Sequence, residues 1–419
     1  MRLSRARKLT GFLGLAAVVS LVAVLGAAGA TGPDAKSSKS GVTTVTLSGW
    51  ASSPEETSAL RATIAAFQRA NRNIRVTYAP ISGDYDAAML ARFASRRPPD
   101  VLYVDSLDLD DYRPALEPLN RYMAQSRFST RRFYSRLLNG FRRGQTVYGL
   151  PKDWSPLGMV VNTQMLQRGG VTTRPRTWSQ FTAALTRLRQ RNAVPGGAPA
   201  CLSLDWARLL AFIYQNGGGW VNAARTRSII NSPRNVQTVN TYLGWLRSGN
   251  ARTPGQLGVG WCGEALGKEK AAVIFEGNWV YGYMQKDFPS VRFRVDPMIR
   301  QRQRGNLSFT VSYSMSRFSR NKQAGWRLLQ FLTGPNGQRV WSRNSGFLPS
   351  RSDVRPPTGR ASFIREAPAA RPWQFVKGFD RVLDLAGKEL EKTFNGDQTV
   401  VQMLRNIDQA TQEAINRSR

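Results

Sequence analysis

Histidine is absent from all 419 positions of the sequence. Its absence excludes nucleophilic catalysis by Ser-His or Cys-His pairs, the usual histidine-containing zinc sites and a histidine-based pH switch. It is the most informative absence in the sequence.

Cysteine is scarce, and occurs only as Cys201 and Cys262. Neither cysteine lies directly after the apolar N-terminal segment, so we expect no thiol there for a lipoprotein anchor. The two cysteines can pair in an oxidising compartment. Closing a loop of that length would stabilise the fold by about 4 kcal/mol in the chain-entropy model. Two buried free thiols are the alternative, and the sequence leaves both open.

Acidic residues are few, with 27 against 60 basic residues and a formal net charge of +33. Such a balance suits a nucleic-acid binder, but the basic residues are spread along the whole chain. The densest run, residues 127–144, interleaves Arg with Phe and Leu at helical spacing, which predicts an amphipathic helix with a solvated basic face. We favour that interpretation over a nucleic-acid site. A nearby anionic membrane or cell-wall surface is another cause of the charge.

A long apolar run occurs only near the N-terminus. Residues 1–30 combine four basic residues, an apolar stretch and a final Ala-Gly-Ala, which is the pattern of a secretory signal peptide. We predict a flexible leader at 31–41. No later run approaches the roughly 18 apolar residues of a second membrane span, so we expect an exported protein, in the periplasm or at the extracytoplasmic cell surface.

The pattern after the leader alternates strands with helices. Residues 42–50 and 74–79 alternate as strands, a capped helix follows Ser53-Pro54, and residues 86–96 predict a second helix. Residues 99–106 form a short apolar run. The order β-α-β-α-β predicts a parallel sheet. Because ligands bind outside the carboxyl ends of such strands, Trp50 and Asp105 lie where a site is expected.

A second α/β unit begins near residue 157. Its strand at 157–162 is followed by capped helices, and the segment 270–284 predicts a strand, a Gly-Asn turn and a helix. Glu276 ends that strand and Trp279 begins that helix. The C-terminal segment is predicted to be helical.

Short segments of the sequence occur in the order found in one known family. The sequence resembles extracellular solute-binding protein family 1, the carbohydrate-capturing, maltodextrin-binding-protein-like components of ABC importers. The resemblance covers nearly all of the chain after the leader. Each motif is short and degenerate, but their common order carries the resemblance. The segments are VTLSGW, IAAFQRANRNIRVTY, PDVLYVD, LEPLN, VYGLPKDW, VVNTQML, RTWSQFTAAL, KAAVIFEGNW and WRLLQFLTGPNGQRVW with GFLPSR.

The resemblance implies an α/β, two-lobe periplasmic-binding-protein fold, type II-like, with a hinge of several crossing segments and a ligand cleft between the lobes. The motifs place crossings at Tyr148 to Trp154, near Asp296-Pro297, and at Gly346 to Pro349. We expect Leu150-Pro151 to end a strand, because proline donates no ladder hydrogen bond. The predicted domains after the leader are lobe 1 at 42–150, lobe 2 at 151–297, a return to lobe 1 at 298–346, and C-terminal helices of lobe 2 at 347–419.

Aromatic residues near the expected cleft are candidates for stacking on the C–H faces of a sugar. Trp279 matches the position where the family often places its stacking aromatic, and its alternative is a core residue at a strand-to-helix corner. Trp50 and Trp154 follow strand or hinge segments. Tyr313 and Trp373, near the cleft edges, would add aromatic surface.

Three acidic residues, Asp105, Asp153 and Glu276, are candidates for binding sugar hydroxyls. A hydrogen bond to a charged group contributes about 1.5–3 kcal/mol. The alternative for Asp105 is a helix N-cap, and for Asp153 an ion pair with Lys152.

The resemblance implies a non-enzymatic receptor with no cofactor and no bound metal. Its expected partners are a carbohydrate and the permease subunits of an ABC importer, with no nucleic acid, only peripheral membrane contact and a monomeric state. One alternative is an exported glycoside hydrolase that uses a carboxylate pair such as Asp153 and Glu276. A basic surface protein that binds nucleic acid or an anionic polymer is another. A third keeps the fold but binds an acidic sugar or a polyamine.

Overall fold

Two β-sheets, each covered by helices, organise the chain. The computed structural model describes residues 41–50, 54–373 and 376–418. The predicted signal peptide and nearly all of the predicted leader lie outside the described residues. Among the described residues, no helix has the length and apolar character needed to cross a membrane.

The strands and helices follow one another along the whole described chain. The strands are β1 (Thr43–Ser48), β2 (Ile74–Tyr78), β3 (Val101–Asp105), β4 (Arg142–Arg143), β5 (Thr146–Val147), β6 (Gly149–Pro156), β7 (Gly158–Asn162), β8 (Ala198–Cys201), β9 (Ala251–Arg252), β10 (Ala271–Glu276), β11 (Phe293–Asp296), β12 (Asn306–Met315), β13 (Leu348–Pro349) and β14 (Ala370–Pro372). The helices are α1 (Pro54–Ala70), α2 (Tyr85–Ala94), α3 (Leu109–Tyr112), α4 (Asn120–Gln125), α5 (Ser135–Gly140), α6 (Thr163–Arg168), α7 (Trp178–Gln190), α8 (Trp206–Gln215), α9 (Pro233–Arg247), α10 (Cys262–Gly267), α11 (Trp279–Asp287), α12 (Lys322–Thr333), α13 (Pro335–Ser345), α14 (Ala361–Ile364), α15 (Phe379–Asn395) and α16 (Val400–Arg417).

The first sheet has the strand order β13-β6-β12-β3-β1-β2, with β14 paired to β12. Strand β1 pairs in parallel with both β2 and β3, which confirms the predicted parallel β-α-β-α-β unit. Strand β12 lies between β3 and β6 and is antiparallel to both, so the complete sheet is mixed. Helices α1, α12 and α13 supply, in that order, Phe67, Leu329 and Trp341 to the apolar core on this sheet.

The second sheet has the strand order β11-β7-β10-β8-β9. Strand β10 is parallel to β8 and antiparallel to β7. Its main core is formed with helices α7, α8, α9, α15 and α16, through residues such as Phe181, Phe212 and Leu404. Cys201, the last residue of β8, is joined to Cys262, the first residue of α10, by a disulfide.

The chain leaves the first sheet at the end of β6, and β7 begins the second sheet after Leu157. The predicted end of a strand at Leu150-Pro151 is wrong, because β6 continues to Pro156. The ladder with β12 shifts register here: Val311 pairs with Asp153, and Ser312 pairs with Pro151. A proline is tolerated at such a bulge, where no ladder hydrogen bond is required of it.

The chain crosses between the sheets at two further places, both close to the crossings predicted near Asp296-Pro297 and at Gly346 to Pro349. Strand β11 of the second sheet ends at Asp296, and β12 of the first sheet begins at Asn306. Strand β13 at Leu348–Pro349 pairs with β6, and the later helices α15 and α16 join the core of the second sheet. The domain limits themselves remain predictions, and the limit at residues 150 and 151 falls inside β6.

The basic run at residues 127–144 does not form the long amphipathic helix predicted for it. Only α5, at Ser135–Gly140, is helical, and residues 142–147 form the β4–β5 hairpin. The chain turns at Gly144, which has a φ of +56° that favours glycine. Arg143 lies in this hairpin and not in a helix, and its guanidinium binds Asp110.

Candidate ligand-binding site

A buried carboxylate, a guanidinium and an indole meet at the carboxyl end of β10. Glu276 is fully buried, and its Oε2 lies 2.6 Å from Nη2 of Arg208 on α8. The indole Nε1 of Trp279 donates to the same oxygen at 3.1 Å. Gly277 follows Glu276 and allows the Trp279 ring to pack directly against the backbone at the end of the strand. A Cβ at position 277 would collide with the Trp279 ring and with Oγ of Ser155.

The start of α8 fixes the position of Arg208. Asp205 caps this helix by accepting from the backbone N–H of Arg208 at 2.8 Å, and its Oδ2 lies 3.4 Å from the Arg208 Nη1. Arg208 is therefore shared between two carboxylates. Burial raises the pKa of Glu276 above its usual value, although the guanidinium opposes the rise.

Three polar atoms beside this group are buried and have no hydrogen-bond partner among the described residues: Oε1 of Glu276, Nε of Arg208 and Nε1 of Trp206. An unpaired buried polar group costs about 1–3 kcal/mol, and native structures contain few of them. One acceptor at the end of β10 and two donors in the first turn of α8 match a ligand with hydroxyl groups, since a hydroxyl both donates and accepts.

Side chains of the first sheet complete the surroundings of Trp279. The ring of Phe309, on β12, meets the Trp279 ring edge-on with centroids 5.1 Å apart. The backbone N–H of Asn278 donates to Oγ of Ser155, on β6, at 2.6 Å. Its side chain donates to the carbonyl of Gly346 at 3.0 Å and accepts from Arg360 at 2.8 Å. The turn that carries Trp279 therefore lies against strands of the other sheet.

Asp153 takes the alternative role of an ion pair with Lys152. Nζ of Lys152 lies 2.7 Å from Asp153 Oδ2 and 2.8 Å from Glu56 Oε1, and also 4.0 Å from the ring centre of Trp341. Burial raises the pKa of Asp153, and Lys152 opposes the rise. These contacts correct the expectation that Asp153 binds sugar, since its carboxylate serves to neutralise a buried lysine.

Trp154 and Tyr313 are core residues in this structure. Trp154 is 1 % exposed, and its Nε1 donates to the carbonyl of Pro349 at 3.0 Å. Tyr313 is 2 % exposed and packs on Tyr103 with ring centroids 5.4 Å apart. Trp373 is likewise buried and belongs to the core of the second sheet. Their packing corrects the expectation that they present aromatic surface to a ligand.

Trp50 and Asp105 lie at the carboxyl edge of the first sheet, as the strand order predicts. Trp50 is partly exposed and meets the rings of Tyr85 and Tyr103 edge-on, with centroids 5.2 and 5.3 Å away. Oδ1 of Asp105 accepts from the backbone N–H of Leu107 at 2.9 Å. That bond closes a short turn before α3, whose N-cap is Asp108, so the helix N-cap alternative for Asp105 is wrong. Asp105 remains partly exposed.

Arg208, Trp206 and Phe309 were missed by the sequence reasoning. A usable signal existed for the first two, because Asp205-Trp206 follows soon after strand β8 and strand ends were the criterion for Glu276. Phe309 gave no signal, since it is one of several apolar residues alternating along β12. Among the described residues, no group of three or more Cys, Asp or Glu is placed to hold a metal ion.

A family model described as bacterial extracellular solute-binding protein matches residues 50–339, which is more than half of the chain. The chain belongs to this family. Binding proteins of Brucella abortus and Brucella suis are 21 % identical to this solute-binding protein over 296 residues, covering 67 % of it and 70 % of each relative.

Solved structures of two binding proteins have the same fold as this solute-binding protein. The sugar-binding protein MalE from Xanthomonas citri matches with a TM-score of 0.80 and 18 % identity, covering 90 % of this chain and 98 % of its own. An ABC substrate-binding protein from Listeria monocytogenes, solved in complex with cycloalternan, matches with a TM-score of 0.78 and 20 % identity, covering 89 % and 99 %. The likeness confirms the predicted two-lobe α/β fold, in which each of the two sheets belongs to one lobe.

Proposed function

We propose that this solute-binding protein captures a carbohydrate between its two lobes and delivers it to the permease of an ABC importer. The observation that carries the proposal is the Glu276–Arg208–Trp279 group, where a partly exposed indole lies beside unpaired buried polar atoms. An aromatic face and hydroxyl-binding polar groups are the two surfaces that a sugar requires. The sugar ligands of similarly folded proteins support the same class of ligand.

In the proposed site the ligand contacts residues of both sheets, and this links binding to a change of conformation. Glu276 and Trp279 belong to elements of the second sheet, whereas Phe309 belongs to the first. Trp50 and Asp105 lie at the carboxyl edge of the first sheet and extend the proposed site. A sugar that touches both sides favours the conformation in which they are close, to the extent that it binds that conformation better.

We propose that binding occurs without turnover. Hydrolysis of a glycosidic bond needs two carboxyl groups flanking that bond, one of them free to give up or take a proton. Asp153 and Glu276 lie in different sheets, and each is committed to a cation, Lys152 or Arg208. An oligosaccharide that remains intact after long incubation with the protein is the expected result, and released fragments would favour the hydrolase instead.

The cellular setting is proposed with the same function. We propose export to the periplasm or the extracytoplasmic cell surface, a permease as the membrane partner and a monomeric receptor. Size-exclusion chromatography with light scattering of the protein after removal of residues 1–30 should show a monomer. A stable dimer would contradict that part of the proposal.

Isothermal titration against mono- and oligosaccharides tests the proposed function. We expect at least one to bind, and a ligand at a hundred times its dissociation constant should add about 2.7 kcal/mol to the free energy of unfolding. Trp279→Leu should weaken that binding several-fold. The matched control is Trp261→Leu, because Trp261 is also partly exposed but packs on Tyr283 near α10. If no carbohydrate binds, the proposed ligand class is wrong, whatever the fold.

A further inference from the structure

The charged side chains at the candidate site carry a surplus of negative charge. Glu276 and Asp205 contribute two carboxylates, and the guanidinium of Arg208 lies 2.6 Å from the first and 3.4 Å from the second. Two negative charges and one positive charge leave one negative charge without a counterpart. This local surplus contrasts with the formal net charge of +33 for the whole chain.

The pKa values of two neighbouring side chains reflect that surplus. Burial lowers the pKa of Arg208, but the carboxylates of Glu276 and Asp205 outweigh burial and hold that pKa above its ordinary value. Burial raises the pKa of Tyr242, the same two carboxylates raise it further, and Arg208 opposes the rise. Tyr242 is near because its hydroxyl donates to the carbonyl of Ser203 at 2.7 Å, just before Asp205. Negative charge therefore prevails around this group.

Arg360 also contacts the turn after Glu276, but other groups engage its charge. Its Nε donates to Oδ1 of Asn278 at 2.8 Å, and its guanidinium lies 3.5 Å from the ring centre of Tyr281. Burial lowers the pKa of Arg360, and the side chain that opposes this shift is Tyr281 rather than Glu276. Arg360 therefore does not neutralise the surplus at Glu276.

Glu276 also has an oxygen available for a donor. Its Oε2 accepts from Arg208 and from Trp279, whereas Oε1 is buried and has no hydrogen-bond partner among the described residues. Nε of Arg208 and Nε1 of Trp206, in the first turn of α8, are the unpaired donors. A ligand that satisfies all three atoms must bring one donor to Glu276 and acceptors to α8.

The acidic group opens to solvent on the side of α8. Side-chain exposure rises from 1 % for Glu276 to 20 % for Arg208 and 35 % for Asp205. The Trp279 ring is partly exposed as well, and its centre lies 5.8 Å from Cζ of Arg208. A ligand that lies on this ring is therefore next to the charged group.

We propose that the captured sugar carries a free amine and that its ammonium group donates to Oε1 of Glu276. This inference rests on the proposed function and names the class of sugar. An ammonium supplies the missing donor and also neutralises the surplus charge, whereas a hydroxyl supplies the donor alone. An indole ring such as Trp279 attracts a cation as well as a sugar face. Hydroxyl oxygens of the same sugar can accept from Arg208 and Trp206.

The positive charge of the rest of the chain does not reverse this preference. At an ionic strength of about 0.1 M, exposed charges more than roughly 10 Å apart are largely screened. Glu276, Arg208 and Asp205 are in direct contact with one another and act on the ligand at short range. The local charges therefore decide which sugar binds more tightly.

Isothermal titration with matched sugars tests this inference. The probes are the amino sugars glucosamine, galactosamine and mannosamine, their N-acetyl derivatives and their parent hexoses, together with oligosaccharides of glucosamine, N-acetylglucosamine and glucose of equal length and linkage. At neutral pH we expect the amino member of at least one set to bind about tenfold more tightly than its hydroxyl counterpart. The N-acetyl member should bind no better than the hydroxyl one, because acetylation removes the charge.

Two substitutions locate the amine at this group. Glu276→Gln should abolish the preference for the amino sugar, because glutamine has a similar shape but no charge. Asp205→Asn should reduce the preference several-fold, because asparagine still caps α8 but the surplus charge is gone. The matched control is Glu413→Gln, which removes the same charge from an exposed position on α16, 3.8 Å from Arg417, and should leave the preference unchanged. Circular dichroism establishes that each variant is folded before titration.

The outcomes separate this inference from the proposed function. Equal binding of amino and hydroxyl sugars, or an amino-sugar preference that survives Glu276→Gln, would overturn the inference and leave carbohydrate capture standing. Spermidine is the remaining probe, and binding of spermidine without binding of any sugar would overturn both in favour of a polyamine receptor. If none of these ligands binds, the proposed function fails first and the inference fails with it.

Discussion

Lys152 forms ion pairs with both its sequence neighbour Asp153 and the distant Glu56, at 2.7 and 2.8 Å. The register shift in the β6–β12 ladder leaves Lys152 without a paired residue on β12 between Pro151 and Asp153. A strand with regular pleating would send Lys152 and Asp153 to opposite faces. The bulge allows both side chains to enter one buried cluster under Trp341.

The Lys152 cluster should be a major source of stability. Lys152→Met leaves two carboxylates buried without their cation, so we expect a loss of about 3–5 kcal/mol in the free energy of unfolding, measured by urea denaturation. The control Lys322→Met breaks a more exposed pair with Glu117 at 2.8 Å and should cost about 1 kcal/mol or less. Equal effects of the two substitutions would contradict the special role of the buried cluster.

The turn at Gly277 should be required for ligand binding. Gly277→Ala places a Cβ against the Trp279 ring and Ser155 Oγ, so the indole must move and sugar affinity should fall at least fivefold by titration calorimetry. Gly282, in the following helix α11, has open space around it. Gly282→Ala should therefore leave affinity unchanged and stabilise the fold by about 0.4–1 kcal/mol. The prediction fails if both variants bind sugar like the parent.

Glu276 should make stability depend on pH. Burial raises the pKa of Glu276 above its ordinary value of 4.5, so the folded state holds this proton at pH values where the unfolded state has lost it. Stability from this group is present below pH 4.5 and declines as the pH rises from there towards the higher folded pKa. Urea denaturation from pH ~4 to ~7 should therefore show the parent losing stability relative to Glu276→Gln. A difference that stays constant or grows in favour of the parent would refute the assignment.

The disulfide between Cys201 and Cys262 spans a sequence separation of 61 residues. In the chain-entropy model its removal destabilises the fold by about 4 kcal/mol. Chemical denaturation should show that loss both on reduction and in the Cys201→Ser, Cys262→Ser double variant. The double variant is its own control, because adding reductant should not change its stability further.

Local pattern was enough to predict part of the fold, and long-range pairing explains what it missed. Strand alternation and helix caps predicted the parallel unit of β1, β2 and β3, because those signals lie within each segment. The insertion of β12 between β3 and β6 depends on residues about 150 to 200 positions apart in sequence. No local pattern records such a pairing, and the bulge opposite Pro151 arises from the same pairing.

The residues of the candidate site also fall into two groups, those that local sequence signals predict and those that tertiary packing brings in. Glu276 and Trp279 were identifiable because a strand end, a glycine turn and a helix start are adjacent in the sequence. Arg208 and Phe309 come from α8 and β12 and reach the site only through tertiary packing. For Asp153 and Trp154 the sequence offers only their place in a motif. Motif position could not distinguish a side chain facing the cleft from one facing the core.

Asn278 joins the start of α11 to the parts of the chain that connect the two sheets. Its bonds to Ser155 and Gly346 hold the base of Trp279 near the pivot of any swing between the lobes. Because these bonds tie its base to the first sheet and to the segment after α13, we expect Trp279 to be displaced little during such a swing. Indole fluorescence from position 279 would consequently report ligand occupancy rather than lobe opening.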